Sequence, residues 1–276
     1  MDNYAIRSLI ELALQEDIGP GDITTDHLID ELAVGEGYIL AKQDLVLAGS
    51  SVAEQVFRTL DPAMDIFRSF SDGDKVNEGD VVMELKGRMR ALLKGERTAL
   101  NFLQRLSGIA TNVRDYVDEL GETRVRLVDT RKTIPGHRML EKYAVRVGGA
   151  CNHRMALYDG VLIKDNHIAA CGGIKKAVDT LRRNVSHLVK IEVEVSNDAE
   201  LQEALEAKAD VIMLDNMNLT QIAQAVELVQ GRALVEVSGS VTKDQLIPLA
   251  MAGVDIISSG ALTHQAQAVD LSMRIK

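Results

Sequence analysis

The chain contains no tryptophan, and only four phenylalanines and five tyrosines among its 276 residues. A core without large rings has to be filled by Val, Leu, Ile, Ala and Met, the palette of parallel α/β proteins. The ten methionines read as gap fillers. Two cysteines, Cys151 and Cys171, are too few for a disulfide framework, a zinc ribbon or an iron–sulfur cluster, and a reducing compartment, the cytoplasm, is expected. Four prolines and 21 glycines exclude a disordered or fibrous chain. No run of about 18 apolar residues occurs. The first residues, Met1 to Gln15, carry Asp2, Arg7 and Glu11, so neither export nor membrane insertion is expected. An excess of positive charge is also missing. The net charge of −10 argues against a nucleic-acid surface, which would need a net basic face.

That acidity is unevenly distributed. Between Arg124 and Lys164 nine Arg or Lys stand against three acids, a local +6 that leaves −16 on the remainder. A basic run is commonly a solvated helix face. The order of the residues around it points elsewhere.

Apolar residues from Ile6 to Leu14 recur near the helical period and stop at Gly19-Pro20-Gly21. Asp22, Thr24 and Thr25 offer caps for a following turn. From Gly35 to Lys86 the pattern changes to short strand-like runs, Tyr38–Ala41, Leu45–Leu47 and Val81–Leu85. The stretch from Ser71 to Val82 resembles the hammerhead turns of lipoyl and biotin carrier domains, but the carrier lysine is missing and a structural role is expected. Glu96 to Tyr116 reads as a long amphipathic helix joining two halves. Six apolar runs then follow, each ending in polar residues: 125–132, 160–167, 190–195, 210–216, 232–239 and 254–260. Helical patterns such as 199–208 and 219–229 separate them, which predicts alternating strands and helices and a parallel sheet. The expected fold is α/β, with an N-terminal α+β sandwich domain over 1–105 and an open or incomplete C-terminal β/α barrel over 106–264. A helix over about 265–276 is expected to pack back on the first domain.

In such barrels the chemistry sits at the C-terminal ends of the strands. Asp129, Thr130, Arg131, Lys132, Lys164, Asp165, Glu194, Asp215, Glu236 and Ser238 would all surround one mouth. Arg131, Lys132, Arg154 and Lys164 together suit a ligand with more than one negative group, since guanidinium forks bind carboxylate or phosphate in a bidentate manner. His153 adds a further donor. Glu194 and Asp215 could hold sugar hydroxyls or a Mg²⁺ that arrives with phosphates. Ser238-Gly239-Ser240 and Ser258-Ser259-Gly260-Ala261 are small-residue turns able to present backbone N–H groups to a phosphate.

Taken in order, Glu96-Arg97-Thr98, Asp129 to Gly136, Glu141 to Gly149, Asn152-His153-Arg154, Leu162 to His167, Glu192-Val193-Glu194, Leu214-Asp215-Asn216 and Gly260 to His264 resemble the quinolinate phosphoribosyltransferase family over nearly the whole chain. The resemblance implies transfer of phosphoribosyl from phosphoribosyl pyrophosphate to quinolinate with decarboxylation, dependence on Mg²⁺, and a homodimer in which one sandwich domain caps the partner's barrel. It further implies that Arg131, His153, Arg154 and Lys164 hold the two quinolinate carboxylates, joined by Arg97 of a second subunit. Lys132 would then sit between quinolinate and pyrophosphate, with Thr130 beside it. Glu194 and Asp215 would take ribose hydroxyls and metal, while Ser238, Gly239, Ser240, Ser259, Gly260 and Ala261 would cradle the 5′-phosphate. Ser240 and Ser259 depart from the residues usual at those positions in the family.

Three other readings compete. A paralogous phosphoribosyltransferase associated with molybdenum transport shares several motifs and would use another acceptor, though the intact Arg97, Arg131, His153, Arg154 and Lys164 set favours a dicarboxylate. A Schiff-base aldolase would use Lys164 or Lys190 as nucleophile. A carrier or scaffold role rests on the Gly73 to Gly79 turns alone and leaves the charged mouth without a purpose.

Overall fold

The computed structural model describes residues 4–276. In chain order the elements are α1 (Tyr4–Ile18), α2 (Ile23–Leu28), β1 (Val34–Ala41), β2 (Leu45–Val46), α3 (Ser50–Leu60), β3 (Asp65–Arg68), β4 (Lys75–Val76), β5 (Val81–Arg88), α4 (Met89–Leu120), β6 (Arg126–Val128), α5 (Arg138–Gly148) and β7 (Val161–Ile163). They continue as α6 (Asp165–Cys171), α7 (Ile174–Asn184), β8 (Ile191–Val195), α8 (Asp198–Glu206), β9 (Val211–Asp215), α9 (Leu219–Val229), β10 (Leu234–Ser238), α10 (Leu246–Met251), β11 (Ile256–Ser258), α11 (Ala261–His264) and β12 (Leu271–Ile275). Two compact units divide the chain. One runs to Arg114 and takes in Pro135–Gly149 and Ala266–Lys276; the other holds Asp115–Ile134 and Ala150–Gln265.

In the first unit an antiparallel sheet runs in the order β12-β1-β5-β3, beside a small β2-β4 ladder. Helix α1 buries Ile6, Ile10 and Leu14, one residue per turn on a single face. Asp22 caps α2 by accepting from the backbone N–H groups of Thr24 and Thr25, each at 3.0 Å, as an N-cap carboxylate should. Two expectations need correction. Ser50–Leu60, inside the stretch read as strands, is helix α3, which buries Val52, Ala53, Val56 and Phe57 at helical spacing. The C-terminal segment is not a helix: Leu271–Ile275 pairs with β1 in antiparallel register, Leu271 opposite Ala41 and Ile275 opposite Gly37. Alternation decides it, because Leu271 and Met273 are buried while Arg274 is exposed, a period of two.

The hammerhead-like turn has a structural job. Asp72 accepts from Gly49 N at 2.9 Å, Ser50 N at 3.1 Å and the Ser50 hydroxyl at 2.6 Å. It thereby satisfies the first N–H groups of α3, which has no side-chain cap of its own. Tyr143 on α5 donates its hydroxyl to the same carboxylate at 2.6 Å, and burial raises the phenol's pKa. Helix α5 belongs to this unit for a second reason. Its buried Glu141 receives Arg105 of α4 at 2.8 and 3.0 Å, and Arg114 donates to Gly148 O at 2.9 Å. Of the basic segment, Arg138, Lys142 and Arg146 therefore lie on α5, and Lys142 is fully buried.

The second unit is a six-stranded parallel sheet in the order β6-β11-β10-β9-β8-β7. All six strands fall where the apolar runs predict. The sheet curls without closing, since β6 and β7 do not pair with each other. Cys151 partly covers the β6 edge: its N–H donates to Leu127 O at 2.9 Å and its carbonyl accepts from Asp129 N at 3.2 Å. Registers bring the strand ends level, with Ser238 opposite Asp215 and Ser258 opposite Val128.

Candidate active site

At the C-terminal ends of these strands lies a cavity of about 530 Å³, lined among others by Thr130, Arg131, Lys132, Arg154, Lys164, Glu194 and Asp215. Its size suits a small ligand. It is formed within the second unit, at the place where the polar ends of the apolar runs were expected to meet.

The basic side comes from three segments. Arg131 and Lys132 follow β6, where the Lys132 N–H donates to the Thr130 hydroxyl at 3.0 Å and folds the loop back on itself. Lys132 O in turn accepts from the Thr263 hydroxyl at 2.8 Å. Arg154 donates through Nη1 to Gly160 O at 2.9 Å. Burial, and next the nearby Arg131 cation, lower its pKa. Two guanidinium groups held this close form a site for anionic oxygens. Lys164, at the end of β7, is ion-paired with Glu194 on the neighbouring β8.

His153 is placed by the buried Asp129. One carboxylate oxygen of Asp129 accepts from His153 N at 2.9 Å and the other from the Asn152 amide at 2.7 Å. The imidazole Nδ1 accepts from Arg154 N at 2.8 Å, which puts the ring proton on Nε2. Nε2 faces Glu192 at 3.1 Å and Glu236 at 3.6 Å. The ring borders the cavity, but both its nitrogens are directed to protein. These contacts hold the Asn152–Arg154 segment at the cavity wall.

The two small-residue turns differ. Ser238, Gly239 and Ser240 all line the cavity. Gly239 has φ +135°, and a Cβ there would come within 2.9 Å of Asn216 Oδ1, so glycine is required. Asn216 itself takes a left-handed φ of +54°, a conformation whose cost is often found at functional sites. The second turn contributes Ser258 and Gly260. Ser259 and Ala261 are buried and do not line the cavity, and the Ser259 N–H is spent on Val128 O at 3.0 Å. Strand alternation along β11 turns Ser258 inward and Ser259 away.

Glu194 and Asp215 stand at the ends of adjacent strands, Asp215 receiving the Asn216 side-chain amide at 2.8 Å. They offer the hard oxygen donors that Mg²⁺ prefers, and two carboxylates suffice when phosphates supply the other ligands. Arg97 lies on α4 in the first unit and is exposed. Sequence reasoning named Glu236 only as one charge at the mouth and missed the importance of Glu192 beneath it. The signal was present: alternation from the site residues Glu194 and Ser238 leads directly down to both.

Residues 22–107 match the family model described as the N-terminal domain of quinolinate phosphoribosyl transferase, and residues 109–274 match its C-terminal domain. The chain is 43% identical over 275 residues to a probable nicotinate-nucleotide pyrophosphorylase [carboxylating] of Bacillus subtilis, covering 100% of this chain and 95% of that one. A protein of the same description from Synechocystis is 47% identical over 265 residues, covering 95% and 90%. The solved nicotinate-nucleotide pyrophosphorylase of Francisella tularensis superposes with a TM-score of 0.95 at 41% identity, covering 100% of this chain and 98% of the other. With both domain models matched in order along the chain, and a cavity of this chemistry in the second unit, the chain belongs to the quinolinate phosphoribosyltransferase family.

Proposed function

We propose that this protein transfers the phosphoribosyl group of phosphoribosyl pyrophosphate to quinolinate with loss of CO₂, giving nicotinate mononucleotide and pyrophosphate for NAD synthesis. One observation carries the reading. A single cavity gathers Arg131, Arg154, Lys164 and Lys132 together with Glu194, Asp215 and the Ser238–Ser240 turn, which matches a dianionic acceptor beside a phosphorylated sugar.

In this reading Arg131, Arg154 and Lys164 receive the two carboxylates, and Lys132 stands between acceptor and leaving pyrophosphate. Glu194 and Asp215 face the ribose hydroxyls and would hold Mg²⁺, which supplies charge neutralisation to the pyrophosphate. Ser238, Gly239, Ser240 and Gly260 border the 5′-phosphate. Loss of pyrophosphate leaves positive charge on the ribose, so the site must stabilise negative charge on the leaving group and tolerate positive charge at the anomeric carbon. Placing anions at Glu194 and Asp215 and cations at Lys132 does both. Attack by the ring nitrogen forms a pyridinium and releases pyrophosphate; the electron pair of the breaking carbon–carboxylate bond then stays on the ring carbon beside that positive nitrogen as CO₂ departs, and a proton from solvent completes the C–H bond of the product. No nucleophile of the protein is required, and the engagement of Lys164 by Glu194 speaks against a Schiff base there.

The exposed Arg97 is assigned to the dicarboxylate end of a second subunit's site, making the working unit a homodimer. Both cysteines are free, in keeping with a reducing compartment, and we place the enzyme in the cytoplasm. Among the described residues no helix is long and apolar enough to cross a membrane. The test is quinolinate-dependent release of CO₂ and formation of nicotinate mononucleotide, with nicotinate as control acceptor. Turnover of nicotinate but not quinolinate would overturn the dicarboxylate assignment and favour another acceptor.

A further inference from the structure

Barrel interiors are ordinarily filled by layers of branched apolar side chains, yet at the floor of this cavity the interior is polar, with Glu236 among the lining residues and Glu192 behind it. Glu192 precedes Glu194 by two residues on β8, and Glu236 precedes Ser238 by two on β10. The strand period therefore sets each glutamate one pleat beneath a cavity residue. Both are buried, 7% and 1% exposed. A second cavity, of about 490 Å³, reaches the same pair from the region lined by Arg126, Lys190 and Val211 at the strand starts.

His153, Glu192 and Glu236 bring three potential ligand atoms within 4.8 Å of one another, and such a set invites a metal assignment. The tautomer argues otherwise. Because Nδ1 accepts from Arg154 N at 2.8 Å, the proton sits on Nε2, and a protonated Nε2 has no lone pair for a cation. It is a donor to Glu192 at 3.1 Å. What remains is a chain of contacts. Glu192 fixes the imidazole, the imidazole fixes the Arg154 backbone, and Asp129 fixes the His153 backbone from the other side at 2.9 Å.

We propose that Glu192 and Glu236 are positioning residues for the dicarboxylate end of the site, acting through His153 to aim Arg154. Glu192 supplies the acceptor that stops the ring rotating and a negative charge close to the Arg154 guanidinium. Glu236 packs against Glu192 and the Nε2 side of His153 at 3.6 Å, closing the remaining side of the ring. Removal of Glu192 takes away the acceptor of the His153 Nε2 proton, and removal of Glu236 opens space beside the ring; either change loosens the Asn152–Arg154 segment. The inference rests on the quinolinate reading of the cavity.

The experiment compares steady-state constants of the wild type with Glu192→Ala, Glu192→Gln, Glu236→Ala and Glu236→Gln, varying each substrate in turn. The two alanine variants should raise the quinolinate KM about tenfold or more while the phosphoribosyl pyrophosphate KM moves less than about twofold. Glu236→Gln, which keeps a neutral hydrogen-bonding group of the same shape, should restore the quinolinate KM to within about threefold of wild type. If an alanine variant fails to fold, the glutamine variants decide: Glu192→Gln must weaken quinolinate binding by calorimetry, and Glu236→Gln must bind more tightly than Glu192→Gln. A quinolinate KM unmoved in both alanine variants, an equal rise in both KM values, or a Glu236→Gln as impaired as Glu236→Ala would overturn the proposal. A wild type that does not turn over quinolinate would instead remove the functional reading on which it stands.

Discussion

Lys164, at the end of β7, and Glu194, at the end of the adjacent β8, form an ion pair. The ammonium assigned to a substrate carboxylate already holds a carboxylate of its own. Binding of an anion at Lys164 therefore has to replace one partner by another, and the energy gained is a difference between two ion pairs.

The replacement can be measured. Glu194→Gln frees Lys164 and should tighten binding of quinolinate alone by about threefold, the range expected for a partly exposed pair. The same substitution should lower kcat by about a hundredfold or more, since Glu194 is assigned to the ribose and metal. Calorimetry in the absence of the second substrate reads the first effect. Weaker or equal binding would show that the ion pair does not compete with the ligand.

Gly239 bears on the other substrate. Its φ of +135° and the 2.9 Å approach that an added methyl would make to Asn216 Oδ1 mean that Gly239→Ala must shift the turn. The KM for phosphoribosyl pyrophosphate should rise about tenfold while that for quinolinate changes less than about twofold. Ser240→Ala should produce a smaller rise of the same kind, because Ser240 also lines the cavity. No rise in either variant would remove the turn from the phosphate site.

Glu236 makes stability depend on pH. Its pKa is raised from 4.5 to about 8, chiefly by burial and next by Glu192, with the facing His153 acting in the opposite sense. The folded protein thus keeps a proton that the unfolded chain releases near 4.5. The associated stability is fully present below that value and is lost as pH rises through about 8. It amounts to a few kcal/mol, on the order set by about 1.4 kcal/mol per unit. A thermal melt series from about pH 5 to about pH 8.5 should show Tm falling in the wild type and falling less in Glu236→Gln. Parallel curves would show that another group carries the dependence.

Arg97 gives a test of assembly. If it serves a neighbouring subunit's site, Arg97→Ala and Arg131→Ala should each be inactive alone. Mixing and re-equilibrating the two should restore about one quarter of wild-type activity, since about half of the dimers are mixed and each of these has one intact site. A mixture as inactive as its components would place Arg97 in its own subunit's site or outside any.

Much of this was legible in the chain. Six apolar runs with polar ends specify parallel strands because the period-two pattern is lost when both faces are buried, and the strand ends then collect Arg131, Lys164, Glu194, Asp215 and Ser238 at one mouth. Helix α3 was hidden because its amphipathic pattern lies between short strands in a Gly- and Asp-rich stretch. Strand β12 was hidden because a short segment at a chain end carries too little periodicity, and only pairing with β1 fixes its conformation.

By itself the sequence determined the kinds of groups available and the strand ends on which they sit, because side-chain chemistry and local periodicity are properties of the chain. Only the tertiary structure decided which of them share an environment. Asp129, His153, Glu192 and Glu236 come from separate segments, and only the folded chain brings them into contact. Ser258 faces the cavity while Ser259 is spent on Val128 O, because pairing of β11 with β6 fixes which face each residue takes.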